Sequence, residues 1–296
     1  MLSELKELWK FRELLFVMVQ RDLKIRYKNS ALGFLWSMVN PLITVFVLSF
    51  VFQNFLHRDN GVGSVSAYIL AAYLPFTFFQ LCLLDSSQTI LTAMPLIKKI
   101  YFPREILPIA SVLSNFIHLL MALVMFFFFL VFVYFRSVIT SGGFADAENP
   151  FQLTTVYLPI LLIINLMLSL GLAFLVSAWN TFFEDIKYIV SVMTYLMFFM
   201  CPILYFEEHV ANSQKNLNWH GWLYNLMNVN PVFTLSSAYR KVLVAPPRLL
   251  VDGNVTMKVI PISWLHIGIT GVMSFVILVW GYHVFNKLKW RFVERP

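Results

Sequence analysis

Charge is scarce in this chain, and so are the residue patterns that usually carry chemistry. Of 296 residues only 12% are Asp, Glu, Lys or Arg, against 59% hydrophobic and 17% aromatic. Soluble domains carry about 25% charge, and disordered chains far less apolar content, so both classes are excluded. There are two cysteines, Cys82 and Cys201, each inside an apolar stretch, which rules out a disulfide framework or a cysteine metal site. No Gly-x-x-x-x-Gly-Lys-Ser/Thr run occurs, so the chain has no loop to cradle nucleotide phosphates. The six histidines show no metal-ligand spacing and no His-Glu-x-x-His occurs. The charged first 28 residues lack the short apolar core and small-residue cleavage site of a secretory signal.

What the chain has instead is six long apolar stretches, at residues 33–56, 66–93, 106–135, 156–179, 188–206 and 262–285. A helix rises about 1.5 Å per residue, so roughly 20 apolar residues cross the hydrocarbon core. Backbone groups in lipid must be satisfied within the segment, and no period-two alternation of an outer-membrane barrel appears. The expected fold is an all-α integral membrane protein with six transmembrane helices. It forms one transmembrane domain over 1–296, with a cytoplasmic helix at 1–32, spans one to five over 33–206, an external loop at 207–261, span six at 262–286 and a tail at 287–296.

The net charge of +7 is distributed as membrane topology requires rather than as a nucleic-acid surface. With the N-terminus inside, 15 of the 22 basic residues fall on inside segments, and the two short outside loops hold only Arg58 and Arg136. Both termini are therefore expected to face the cytoplasm.

Along the first 30 residues Leu5, Leu8, Trp9, Leu15, Val19 and Leu23 form a rough helical stripe among charges. This pattern suits an amphipathic helix lying in the membrane interface, or a basic flank that only orients span one. Pro95 and Pro103 bracket a seven-residue piece holding Lys98, Lys99 and the cluster Ile100-Tyr101-Phe102. It predicts one or two turns of helix across the cytoplasmic face, and spacing alone leaves partner docking and interfacial anchoring open. The 207–261 loop is too polar to cross and too aromatic for a linker. It predicts short half-buried helices around 219–224 and 231–244 that dip into the outer interface.

Asp85 is the acid that lies well inside a span, beside Ser86, Ser87, Gln88 and Thr89. An intramembrane carboxylate is costly, and with no paired Arg or Lys in the spans it favours a structural or pathway-facing role over proton coupling. Glu184-Asp185 and Glu207-Glu208 are adjacent rather than facing pairs, which predicts solvated loop ends. Phe78, Phe79, Tyr195, Phe198 and Phe199 are candidates for lining a pathway with ring faces, although most span phenylalanines face lipid or neighbouring helices.

Four stretches taken in order resemble the permease family of ABC exporters for bacterial polysaccharides, of the O-antigen, capsule and teichoic-acid type. The first is Arg21-Asp22-Leu23-Lys24-Ile25-Arg26-Tyr27-Lys28 with Leu32-Gly33-Phe34-Leu35-Trp36 and Asn40-Pro41-Leu42. The second is Leu74-Pro75-Phe76-Thr77-Phe78-Phe79 with the run from Leu96 to Pro108. The third is Asn180 and Asp185 to Tyr188 with Cys201-Pro202-Ile203-Leu204-Tyr205, and the fourth is Asn230-Pro231 with Tyr239-Arg240. The resemblance implies a homodimer working with two copies of a nucleotide-binding ATPase subunit, which would bind the ATP and Mg, while this chain binds no cofactor or metal and has no catalytic residue. The substrate implied is a lipid-linked polysaccharide carried across the bacterial inner membrane. Pro95, Leu96, Ile97, Lys98, Lys99, Ile100, Tyr101, Phe102, Pro103, Arg104 and Glu105 would form the coupling helix that contacts the ATPase. The N-terminal helix would be the family's gate helix, the last-loop helices its periplasmic gate, and spans one and five would line lateral access for the glycan. Glu184 departs from the family, which often has a basic residue before Asp185, and any glycan-binding domain is expected on the partner. A teichoic-acid exporter of the same family is an alternative. A proton-coupled flippase would predict several paired intramembrane ionisable residues, and a membrane enzyme would predict clustered acids or histidines.

Overall fold

The computed structural model describes residues 7–27, 43, 44, 46, 47, 50, 65–141, 152–205, 207, 208, 210, 211, 222–244, 250, 251, 254, 255 and 260–293. The helices are α1 (Arg12–Tyr27), α2 (Val65–Thr92), α3 (Met94–Ile97), α4 (Ile106–Ser141), α5 (Leu158–Phe182), α6 (Ile186–Met200), α7 (Trp222–Val229), α8 (Pro231–Leu243) and α9 (Trp264–Leu288). Single 3-10 turns at Leu153–Tyr157 and Lys289–Val293 lead into α5 and continue α9, and Leu250–Val251 pairs antiparallel with Asn254–Val255.

Among the described residues four helices, α2, α4, α5 and α9, are long and apolar enough to cross a bilayer. They match the second, third, fourth and sixth apolar stretches. The first stretch, 33–56, lies outside the described residues apart from isolated positions. The fifth is shorter than expected: α6 has 15 residues, about 22 Å, against a hydrocarbon core of about 30 Å. It stops at Met200 because Pro202 disfavours helical backbone in the residue before it, and Cys201 is extended, φ −80° and ψ 147°.

α2, α5 and α9 run one way and α4 the other, since Tyr157 meets Trp264 at the starts of α5 and α9 while Glu105, just before α4, pairs with Lys289 at the end of α9. The bundle thus has two ends. One carries α3 and the turns after it; the other carries α7 and α8. Apolar helices gain little from leaving lipid for one another, so close backbone approach and buried polar bonds must hold the bundle. α5 and α9 approach through glycines. A Cβ on Gly171 would come within 2.7 Å of Leu278 Cα, and one on Gly281 would collide with the Gly171 carbonyl. Asn165 of α5 donates to the Pro75 carbonyl in α2 at 3.3 Å. At the α3 end Asn180 is fully buried, donates to the Ser87 carbonyl at 2.8 Å and accepts from the Lys187 amide at 2.9 Å. That one side chain ties the end of α5, the start of α6 and the last turns of α2.

Two apolar clusters follow the two ends. Phe76, Phe78, Phe126, Leu168, Phe233 and Tyr239 belong to the larger one, toward α8. Met18, Val19, Ile97, Phe102, Phe285 and Phe292 belong to the one at the α3 end. There Phe285 meets Phe174 at 5.4 Å and Phe292 at 5.5 Å between ring centroids. α1 docks through Leu15, Met18, Val19 and Leu23, i, i+3, i+4 and i+8 on one helical face, while Phe16, Val17 and Ile25 point outward. Exposed apolar side chains on a helix already docked along its opposite face suit the membrane interface.

Candidate functional site

The Pro95–Glu105 piece is one turn of helix followed by an irregular strap. Met94 and Pro95 open α3, where a missing proline N–H costs nothing, and the chain leaves the helix at Lys98. Lys98 and Lys99 are exposed; Ile100 is 58% and Tyr101 71% exposed. Phe102 is not part of that projection. It is 5% exposed and packs in the cluster with Ile97, Ile106 and Phe285. The expected three-residue knob is therefore two residues on the surface and one that pins the strap, because an apolar ring beside the bundle end gains more by burial. Ile97 is also buried, Leu96, Pro103 and Arg104 are half-buried, and Pro95 is exposed.

The strap is anchored at both sides. Glu105 is buried and pairs with Lys289 Nζ at 2.5 Å, and the Arg104 guanidinium donates to the Lys289 carbonyl. Tyr101 Oη donates to Glu7 Oε1 at 3.2 Å, linking the surface knob to the N-terminal segment that leads into α1. A rigid push on Ile100 and Tyr101 would thus reach the N-terminal segment, α4 and the end of α9 together.

Asp85 is half-buried in α2 and accepts from Asn115 Nδ2 of α4 at 2.9 Å. It lines a polar crevice of about 440 Å³ together with Arg21 and Asp22 of α1. Arg21 brings a guanidinium to this crevice from the interfacial helix, where it is paired with Asp22 at 2.9 Å. The aromatic candidates separate. Phe78 and Phe79 are 3% and 2% exposed and pack inside the larger core; Phe78 meets Phe116 at 5.8 Å. Phe198 bridges to Phe76 at 5.8 Å, whereas Tyr195 and Phe199 project from α6, 5.3 Å apart edge to face.

At the opposite end α8 is enclosed by the bundle rather than half-buried. Asn230 caps it by accepting from the Val232 amide at 3.0 Å, Pro231 starts it, and it packs on α2, α5 and α9. Arg240 is buried among protein groups. Its guanidinium donates to the Tyr205 carbonyl at 2.7 Å and to the Ile203 carbonyl, and lies 4.0 Å over the Tyr68 ring. Glu207 accepts from Ser237 and pairs with Lys241, and Glu208 accepts from the Ile260 amide at 3.5 Å. The expectation of solvated carboxylates is corrected here: Glu207 and Glu208 are both buried. Glu184 and Asp185 at the other end are exposed. Burial pushes the Glu208 carboxyl above the usual range, with Glu207 adding to the rise. Burial pulls the Arg240 guanidinium down, opposed by Tyr68, Glu207 and Glu208.

Sequence reading missed this ionic knot, although the adjacent cations Arg240 and Lys241 in a short amphipathic helix were a usable signal. It also missed Gly171 and Gly281, whose meaning depends on which helices meet. Among the described residues no group of three or more His, Cys, Asp or Glu could hold a metal ion.

A bundle of bilayer-length helices, with an anchored knob at one end and a buried ionic knot at the other, is the architecture of a multi-pass membrane protein. The chain belongs to the ABC-2 type transporter family, whose pattern matches residues 13–244. It is similar to the O-antigen export system permease protein RfbA of Klebsiella pneumoniae, 27% identical over 282 residues, covering 95% of this chain and 94% of that one. The protein of the same name from Myxococcus xanthus is 26% identical over 243 residues, covering 82% and 84%.

Proposed function

We propose that this chain is the membrane-channel subunit of an exporter that moves a lipid-linked polysaccharide of the O-antigen or capsule kind across the bacterial inner membrane. ATP is hydrolysed on a separate subunit, two copies of which serve a homodimer of this chain. Six spans complete the subunit, with span one at 33–56 and α6 as the fifth. Both termini and the Pro95–Glu105 strap face the cytoplasm, and α7 and α8 form a gate on the external side. Span one and the exposed aromatic face of α6 line the pathway.

The observation that carries this reading is the strap itself. Two large apolar side chains stand exposed on a short basic segment whose flanks are locked into the bundle, where a mere connector would be polar. The relatives named for O-antigen export supply the cargo class. A teichoic-acid polymer would need the same machinery. Each buried side chain contributes about 1.5–3 kcal/mol before ordering costs. Replacing Ile100 and Tyr101 together by alanine should therefore weaken ATPase association about tenfold or more, or leave hydrolysis running without export. Phe102 stays intact, so folding is spared. Wild-type ATPase binding and surface polysaccharide in that variant would refute the coupling role. Unchanged surface polysaccharide after deletion of the chain would refute the export role.

A further inference from the structure

The crevice beside Asp85 is built by three elements, α1, α2 and α4. On α2, Asp85, Gln88, Thr89 and Thr92 share one helical face, and on α4 Ser111 and Ser114 oppose them. From Thr92 at the helix end to Asp85 is seven residues, so the crevice reaches about 10 Å into the span. Two polar strips at that depth are costly in hydrocarbon unless something polar lies between them. At the floor Ser114 is 1% exposed and its hydroxyl has no hydrogen-bond partner.

The lining has a definite chemistry. Thr89 and Thr92 donate their hydroxyl protons to the Ser86 and Gln88 carbonyls, which leaves their oxygens as acceptors. Asp22 and Asp85 add further acceptors, Arg21 and Gln88 add donors, and Leu84, Leu107 and Ile25 add an apolar wall. Two carboxylates against one guanidinium repel a phosphate or other anion. An acyl chain would cover the apolar wall but leave the polar side chains of α2 and α4 without partners. A neutral ring carrying many hydroxyls, each both donor and acceptor, with C–H groups for the apolar wall, satisfies the whole set. The volume of about 440 Å³ lies within the range of small-ligand pockets.

We propose that this crevice is a saccharide subsite, which takes neutral sugar units of the glycan between α1 and the cytoplasmic halves of α2 and α4. This rests on the polysaccharide-export reading. Lifting α1 would open the site, and the Tyr101–Glu7 bond ties the segment preceding that helix to the strap.

The test uses Gln88→Cys, an exposed position on the crevice wall, and Lys98→Cys, an exposed position on the strap outside it. Cys82 and Cys201 are both buried and contribute little background. Inverted membrane vesicles are made from cells carrying the full exporter with a hydrolysis-dead partner ATPase, with and without glycan synthesis, and labelled with a maleimide. The subsite predicts that labelling at position 88 slows at least threefold when glycan is made, while position 98 is unchanged. Equal labelling at 88 in both vesicle types overturns the proposal. So does protection that persists without glycan synthesis, which would mark a lipid headgroup as the occupant, and so does equal slowing at 88 and 98. Surface polysaccharide in a strain deleted for this chain is scored separately, so a failed subsite is distinguishable from a failed export reading.

Discussion

Arg240 offers the most direct test of how the α8 end is held. Its guanidinium donates to two carbonyls, of Ile203 and Tyr205, covers the Tyr68 ring, and stands near Glu207 and Glu208. Arg240→Met keeps most of the stem's volume and removes the charge. Two carbonyls then lose their donor, and Lys241 alone remains to balance two buried carboxylates. Removing one partner of a buried ionic group costs about 3–5 kcal/mol, chiefly because the remaining charge stays buried and uncompensated. Arg240→Lys restores the charge but not the planar fork, and an ammonium cannot serve both carbonyls while stacking on the ring. Its cost should be about 1–3 kcal/mol, from one lost charged hydrogen bond and a weakened ring contact. For chains of this size a kcal/mol shifts the midpoint by roughly 2–4 °C. The methionine variant should therefore lose on the order of 10 °C and the lysine variant about half that. The assay is size-exclusion chromatography of detergent-purified protein after stepwise heating, following the monodisperse peak. A methionine variant within 2 °C of the parent (well under the roughly 10 °C expected), or a lysine variant equal to it, would refute the claim that this knot holds the end together.

Three further outcomes follow from the packing and charge. Gly281→Ala drives a methyl into the Gly171 backbone and should cost about 1–3 kcal/mol or more, whereas Gly268→Ala, with nothing within 4 Å, should be neutral or slightly stabilising; equal heat stability of the two variants would discard the close crossing. Lys289→Met leaves Glu105 buried without its ion pair and should destabilise by about 3–5 kcal/mol, and adding Glu105→Gln should recover part of that, as read in a double-mutant cycle of melting midpoints. Glu208 has a folded pKa raised by burial, so the folded protein binds the extra proton above the ordinary carboxylate range and stability falls as pH rises through that raised value. Heat stability should accordingly increase as pH falls through that raised value toward the ordinary carboxylate range, and Glu208→Gln should flatten that dependence; an unchanged slope in the glutamine variant would remove Glu208 as its source.

The membrane class, four of the bilayer-length helices and the place of the strap were all legible from residue order, because each depends on local quantities. An apolar run long enough to cross, a proline at a helix start and a lysine pair beside it act within one or two turns of chain. The asparagine cap and proline start of α8 were readable for the same reason. The end of α6 was misplaced although its cause, Pro202, was equally local.

What the chain's order left undecided was which side of each segment would be covered. Glu207 and Glu208 read as solvated because nothing nearby in sequence pairs with them; Lys241 and Ser237 arrive from a helix some 30 residues further on. Phe78 and Phe102 look like Phe199 and Tyr101 in composition, and only the neighbouring helices decide that the first two are core and the last two are surface. Asp85 was read as having no basic neighbour because the spans hold none, and Arg21 reaches the same crevice only when α1 docks against the bundle. Hydropathy sets which segments enter the membrane, since transfer from water to lipid is a property of each segment alone. Burial of particular side chains depends on contacts between segments far apart in the chain, so the strap's knob, the ionic knot and the crevice were decided by the tertiary structure.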